Sequence, residues 1–547
     1  MQIDYKNIVI DVKEGTPVSE LLGDEIQKAK CKVIACKFNN EIKSLNFKIK
    51  ASGKLDLIDL NNKDGMRIYR RGLVYIISKA ISEVYPGALM TIKYQLSNAM
   101  YCTVDNLKIT NEVISNINKR VKEIIKQDLP IEKRFMTKDE AEEFYKKENT
   151  LKGKLQLDLK QKKEVTLYYC EDYYNYFYGV LPTSTGFAEA YEITKYSDGF
   201  LIRYPSRKDP DNLPKFIECP KLLETLDEYE DVHRILGVNT LYRLNTIIKK
   251  DKIKDYILLD EALHEKKIAG IADNIAKNKD LKVVLIAGPS SSGKTTFAKR
   301  LALQLRINGL KPKTISVDNY FVERKDTPVD ENGDYDFENI KAIDTNLLNN
   351  DVLKLLNGEE IKAPAFNFHT GSKEYSDQNT MKLEDDEILI MEGIHCLNDE
   401  LTYLIPKKQK FKIYISCLTV LNIDYYNRIS TTDSRLIRRI VRDYQFRGYS
   451  AMHTLKMWQS VNNGEAKNIF PYQEEADVMF NSSLIYELSV LKNYALPLLK
   501  EISQEEKEFS EAKRLYSMLS YFEPIEEKDV PSNSLLREFI GGSIFEY

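Results

Sequence analysis

The chain predicts an α/β protein: a doubly wound parallel sheet at the back, preceded by a small β-grasp unit and a larger α+β unit. Three observations carry this. Short apolar runs at Lys282–Ala287, Lys313–Val317, Glu387–Met391, Phe411–Ile415 and Ala476–Phe480 alternate with helical stretches, the pattern of buried parallel strands with crossovers. The first run leads directly into Gly288-Pro289-Ser290-Ser291-Ser292-Gly293-Lys294-Thr295, which fits G-x-x-x-x-G-K-[ST]. The front opens with strand and turn signals at a much shorter spacing, Ile8–Val12, Gly15-Thr16 and Lys32–Lys37.

At 547 residues the chain exceeds what one core accommodates. We divide it into residues 1–61, 62–225, a helical connector over 226–280, 281–500, and a helical extension with a tail over 501–547. Charged residues make up 30% and apolar ones 43%, which suits a water-soluble globular chain. The net charge of −3 argues against a polyanion binder as a whole. Seven cysteines without a C-x-x-C pair fit reduced thiols. No run reaches the length of a membrane span and the start lacks a signal-peptide layout, so the expectation is a cytoplasmic protein.

In the first unit, Thr16 or Ser19 can cap a helix running through Ala29, between the strands Ile8–Val12 and Lys32–Lys37. The second unit places an amphipathic helix over Arg70–Ile81, then Tyr85-Pro86-Gly87-Ala88 and a strand. The tract Tyr168–Tyr178 is dense in aromatics. It reads either as a stacking platform for a base or an RNA loop, or as strand packing with tyrosines on both faces. The lack of Lys and Arg inside it favours packing. Gly179 and Pro182–Gly186 form a loop.

In the phosphate motif, the glycines let backbone N–H groups turn onto phosphate oxygens, and the following helix adds the positive end of its dipole. Gly288, Pro289, Ser290, Ser291, Ser292, Gly293, Lys294, Thr295 and Thr296 are therefore the candidate ATP cradle. Lys294 reaches the β/γ-phosphates, and the Thr295 hydroxyl holds Mg²⁺. The run Lys313–Val317 ends in Asp318, at the edge where α/β sheets bind ligands. Asp318 can accept the proton of an attacking hydroxyl or cap a loop. Glu387–Met391 ends in Glu392, placed to order the metal. In Thr432–Asp443, Arg435, Arg438, Arg439 and Arg442 share one helical face. With a phosphate cradle in the same chain, that face reads as a lid closing on phosphates, Arg439 and Arg442 acting on the transferred group and Arg435 and Arg438 on the nucleotide, in preference to a solvated face with Asp433 and Asp443 as partners.

These motifs carry resemblances. Residues 1–61 resemble the ubiquitin-like TGS domain at the front of threonyl-tRNA synthetases and some GTPases. The helix and strand that follow are similar to the editing domain of those synthetases. The H-x-x-x-H pair of that domain falls here near Arg71 and Tyr75, and no histidine precedes His233, so a histidine-based site is unavailable in residues 1–232. Residues 281–500 resemble the uridine kinase/phosphoribulokinase family through the P-loop, Asp318-Asn319-Tyr320, Tyr335-Asp336, Phe366-Asn367-Phe368, Met391-Glu392-Gly393 and Arg438–Asp443. The whole layout resembles a bacterial group of two-part nucleoside kinases.

The resemblance implies ATP- and Mg²⁺-dependent phosphorylation of a sugar primary hydroxyl, with Asp318 as base, Lys294 on the phosphates, and Thr295 with Glu392 at the metal. It implies Asp336 on ribose hydroxyls, Phe366 stacked on a base, His369 near the base-reading position, and Tyr320 and Arg447 on the substrate side. The usual Tyr-Asp-Phe segment reads Phe366-Asn367-Phe368, and the family histidine lies further along than His369. A pyrimidine ribonucleoside is the expected acceptor; a small sugar is the alternative within this class. A nucleotide-gated RNA-binding regulator is the alternative outside it. Homo-oligomerisation stays open.

Overall fold

The structure, a computed structural model, describes residues 1–146, 156–157, 164–329, 333, 335–367 and 370–546. At its back, five strands form a wholly parallel sheet in the spatial order Lys311–Ser316, Glu387–Glu392, Val283–Ala287, Lys410–Ser416, Val478–Asn481. Every residue of Val283–Ala287 is buried, as a central strand covered on both faces requires. The register sets Ile286 and Ser316 opposite Glu392. The chain therefore leaves three neighbouring strands at one edge, and Gly288, Asp318 and Glu392 emerge together.

The helix Ile253–Lys277 lies along the P-loop helix Lys294–Ile307. Its Ile257, Ile268 and Ile271 share a core with Val284, Ile286 and Phe297, and Arg300 bridges to Glu265 at 2.8 Å. The stretch expected as a connector is thus a layer of the nucleotide-binding domain, because its apolar stripe has that sheet to cover. The C-terminal extension joins the same core through Leu515, Leu535, Leu536 and Phe539.

The front is a five-stranded mixed sheet in the order Ile8–Asp11, Gln2–Tyr5, Gly53–Asp59, Val33–Phe38, Glu41–Lys43. Gln2–Tyr5 pairs in parallel with Gly53–Asp59, which gives a β-grasp arrangement. The single helix expected up to Ala29 is two short ones, Val18–Leu21 and Gly23–Gln27, with Gly23 at the break, where a residue without Cβ holds helix poorly.

In the second unit the helix over Arg70–Ile81 extends to Lys63–Val84, started by Asn62, whose side chain accepts from the Asp64 amide. It packs beside a four-stranded antiparallel sheet that contains Leu89–Leu96 and Ala99–Asp105. The tyrosine tract forms strands Glu164–Cys170 and Tyr173–Asn175. Tyr168, Tyr169 and Tyr176 are buried, the Tyr75 hydroxyl donates to the Tyr168 carbonyl at 3.1 Å, and the Tyr176 and Tyr521 hydroxyls meet at 2.8 Å. These tyrosines pack rather than present an open stacking face.

Front and back are clasped by a charged knot. Glu511, on the C-terminal helix Phe509–Leu519, accepts from Arg67 at 2.6 and 3.0 Å, from Lys63 at 3.1 Å and from Arg514 at 3.0 Å. Arg514 in turn donates to Asp433 at 2.6 and 2.9 Å. Burial opposes ionisation of Glu511, yet Arg514, Arg67 and Lys63 together hold it well below the usual carboxylate range.

Candidate phosphoryl-transfer site

The site is built where the parallel sheet ends. The strand Val283–Ala287 delivers the chain to Gly288, where a Cβ would lie 2.0 Å from the Ile415 carbonyl oxygen; only glycine lets the loop leave so close to the neighbouring strand. Ser291 and Gly293 take positive φ, 59° and 87°, turning the loop back over the helix N-terminus. Lys294 folds over its own loop and donates to the carbonyls of Gly288 at 3.0 Å and Pro289 at 3.4 Å. Ser292 is fully buried, and the Ser291 and Ser292 hydroxyls are buried without hydrogen-bond partners among the described residues.

Two carboxylates face this loop. The Thr295 hydroxyl donates to Glu392 at 3.5 Å. Burial raises the Glu392 pKa; Lys294 opposes that rise, while Asp318 and Glu538 add to it. Asp318 opens to solvent at the mouth, but the protein mass around it still raises its pKa against the pull of Lys294. Threonine hydroxyl and carboxylate form a hard oxygen donor set of the kind Mg²⁺ takes beside phosphate oxygens. A third acid, Glu338, was not apparent in the sequence. Burial pushes it up to about 7; Glu465 adds to that rise, and Lys294 and Arg439 oppose it.

The arginine helix spans Thr431–Arg447, started by Ser430, whose hydroxyl accepts from the Asp433 amide. It does not present one lid-forming face. Arg435 and Arg438 are buried, 1% and 0% exposed. Arg435 pairs bidentately with Glu465 at 2.5 and 2.7 Å and also donates to the Ser290 carbonyl at 3.2 Å. Glu465 in turn accepts from the Ser290 amide at 2.9 Å. Arg438 clasps Glu487 at 2.5 and 3.1 Å and the Ser482 carbonyl at 2.7 Å.

The expectation that Arg435 and Arg438 bind nucleotide is therefore corrected: both are pinned beneath the loop, where each buried charge is answered by a carboxylate. Arg439 and Arg442 stay partly open, at 17% and 15%. Arg439 donates to the Ser290 hydroxyl at 2.9 Å, and both pair with Asp443, as Arg447 does at 3.5 Å.

Two substrate-side expectations are also corrected. Tyr320 is fully buried and its hydroxyl donates to Asp351 at 3.1 Å. Phe366, 7% exposed, packs edge-on to Phe321 at 5.5 Å. Their rings complete a core under the strand Ile361–Asn367 and leave no open face for a base. Asp336 sits on a turn, its amide donating to the Pro328 carbonyl at 2.7 Å. His369 lies outside the described residues.

The tail supplies a group that sequence reasoning missed. Glu538 accepts from the Thr296 hydroxyl at 2.6 Å and from the Thr296 amide at 3.3 Å. Leu535 closes over Gly293, where a Cβ would lie 2.4 Å from its Cδ2 atom. A carboxylate thus rests on the helix N-terminus that the motif reserves for phosphate. The only hint in the sequence was a tail rich in apolar, glycine and proline residues.

Fold and loop together define a P-loop nucleotide-binding domain. The profile of the phosphoribulokinase/uridine kinase family matches residues 283–487. The uridine kinase of Mycoplasma genitalium is 31% identical over 33% of this chain and 74% of its own length. That of Ligilactobacillus salivarius is 30% identical over 34% of this chain and 77% of its own length. The chain belongs to the phosphoribulokinase/uridine kinase family.

Its front half is similar to threonine–tRNA ligases. That of Marinobacter nauticus is 27% identical over 30% of this chain. The match spans about a quarter of that ligase's length, 26%. In this half Arg71 donates to the Val180 carbonyl at 2.5 Å and Tyr75 packs against Tyr173 and Phe177. Among the described residues no cluster of His, Cys, Asp or Glu could hold a metal ion, and no helix is long and apolar enough to cross a membrane.

Proposed function

We propose that the chain transfers the γ-phosphate of ATP to the 5′-hydroxyl of a ribonucleoside, with uridine and cytidine as the first acceptors to test. The observation that carries this reading is the convergence of Lys294, Thr295, Asp318 and Glu392 at the ends of three adjacent parallel strands. Lys294 neutralises the phosphates. Asp318 orients the hydroxyl for in-line attack and accepts its proton. Its raised pKa makes it a better proton acceptor, provided the pH keeps it ionised. Arg439 and Arg442 meet the charge that develops on the transferred group. Thr295 and Glu392 would hold Mg²⁺, which supplies charge neutralisation when bound.

The pyrimidine preference is supported by the uridine kinases among the relatives. With Tyr320 and Phe366 buried, base selection rests on other residues of the cleft. A coupled ADP-release assay across ribonucleosides and small sugars tests the proposal. Stimulation by a nucleoside is the expected result. No stimulation by any acceptor, while ATP binding persists, would overturn it.

A further inference from the structure

A cleft of about 860 Å³ separates the front half from the nucleotide-binding domain, within the range of small-ligand sites. Arg70 and Arg71 line it from the helix Lys63–Val84, Arg428 from the loop after Lys410–Ser416, and Arg207 from the segment after the strand Gly199–Arg203. Among the described residues none of these arginines forms an ion pair. Arg70 donates to the Tyr204 hydroxyl at 3.2 Å and lies over that ring. Arg71 donates to a backbone carbonyl. The Arg428 Nε is buried with no partner.

The acids on the same walls are engaged elsewhere. Asp433 takes Arg514, Glu474 takes the amides of Lys221 and Leu222, and Glu218 takes the Tyr196 hydroxyl. Burial pushes Arg71 and Arg428 down to about 10, so both stay cationic near neutrality. Guanidinium groups collected in one cleft repel each other unless an anion answers them. Tyr178, half-buried, adds an aromatic ring to the same cleft.

We infer that this inter-domain cleft is a second nucleotide site, which takes a free nucleoside di- or triphosphate, its phosphates on Arg70, Arg71, Arg207 and Arg428 and its base against Tyr178. Guanidinium forks match phosphate oxygens bidentately, and the base supplies a flat apolar body for the half-buried ring of Tyr178. A free nucleotide suits the cleft better than RNA, because the chain's net charge of −3 argues against a long phosphate backbone as its partner. The site is coupled to the kinase site by contact: Arg435, which holds the Ser290 carbonyl, lines the cleft as well. A ligand there touches the strut beneath the P-loop.

Equilibrium dialysis of the full chain with ATP tests this independently of turnover. Two ATP per chain are expected for the wild type, one for Lys294→Ala, one for Arg428→Gln and none for the double variant. In the Lys294→Ala background, Arg207→Gln, at a half-exposed position, should weaken the remaining site about tenfold or more, the loss of a charged hydrogen bond. Thermal melting of each variant confirms that it is folded. One ATP per wild-type chain, or two in folded Arg428→Gln, overturns the inference. So does inorganic tripolyphosphate competing as well as ATP for the Lys294→Ala site, since the base would then contribute nothing. Displacement of that ATP by a tRNA transcript at a lower concentration overturns the assignment to a free nucleotide. Failure of nucleoside phosphorylation leaves these stoichiometries unchanged, so the two proposals fail separately.

Discussion

The synthetase-like front and the kinase back have both kept a scaffold, and they differ in what stands at the working positions. In the back, the strand ends carry Lys294, Thr295, Asp318 and Glu392, and the surrounding acids and arginines are arranged around them. In the front, the helix that would carry a histidine pair has Arg71 bonded to a backbone carbonyl and Tyr75 held in an aromatic cluster. A fold survives on buried apolar pattern, which many residues share. Chemistry survives on a handful of side chains, and replacing them removes one function without unfolding the frame.

The largest expected effect lies in the back half. Asp318→Asn should lower the transfer rate by about 10²–10⁴, the usual worth of a general base, while ATP binding followed by dialysis stays intact. Loss of both would place Asp318 among structural residues and erase the contrast between the halves. Next comes the strut. Glu465→Gln leaves Arg435 buried with its charge unanswered, which should cost about 3–5 kcal/mol, read from the urea midpoint. An unchanged midpoint would mean that Arg435 can swing out and serve the lid after all.

The tail gives a smaller, signed effect. Glu538→Gln removes a negative charge from the Thr296 amide, where a phosphate would have to settle. ATP affinity should tighten on the order of tenfold by Coulomb arithmetic, measured by calorimetry. Weaker binding would make the tail carboxylate part of the cradle rather than a competitor.

Stability against pH offers a further test. Glu338 has its folded pKa raised to about 7, so folding favours its protonated form. That contribution is complete below the unfolded value of 4.5 and is lost as pH rises through about 7. Glu338→Gln should flatten this fall between pH 4.5 and 7 in thermal melts; an unchanged profile would assign the loss to other groups. The smallest effect belongs to the front. Tyr75→Phe loses a hydroxyl bonded to the Tyr168 carbonyl, worth about 1 kcal/mol, with no change in transfer rate. A change in rate would show that the front half takes part in the chemistry.

Much of the back was legible because its signals are local. A parallel strand buried on both faces is a short apolar run, and a phosphate loop needs glycine at fixed places, so Val283–Ala287 and Gly288–Thr295 stood out. Asp318 and Glu392 followed because strand ends share an edge. The arginine helix was misread for a physical reason. Periodicity places Arg435, Arg438, Arg439 and Arg442 on one face but says nothing of what covers that face. Glu465 and Glu487, distant in sequence, answer the first two. Likewise Tyr320 and Phe366 matched base-handling positions by order along the chain, while their burial depended on Asp351 and Phe321.

By itself the sequence determined the phosphate loop, the parallel α/β class behind it and the lack of histidine chemistry in front, since each follows from residue type and near-neighbour spacing. Tertiary structure alone decided which arginines are struts and which face the cleft, that Glu538 of the tail rests on the Thr296 amide, and that arginines from both halves meet across one cavity. Those outcomes depend on where burial strips water from a charge and which distant group replaces it, and no local pattern encodes that partner.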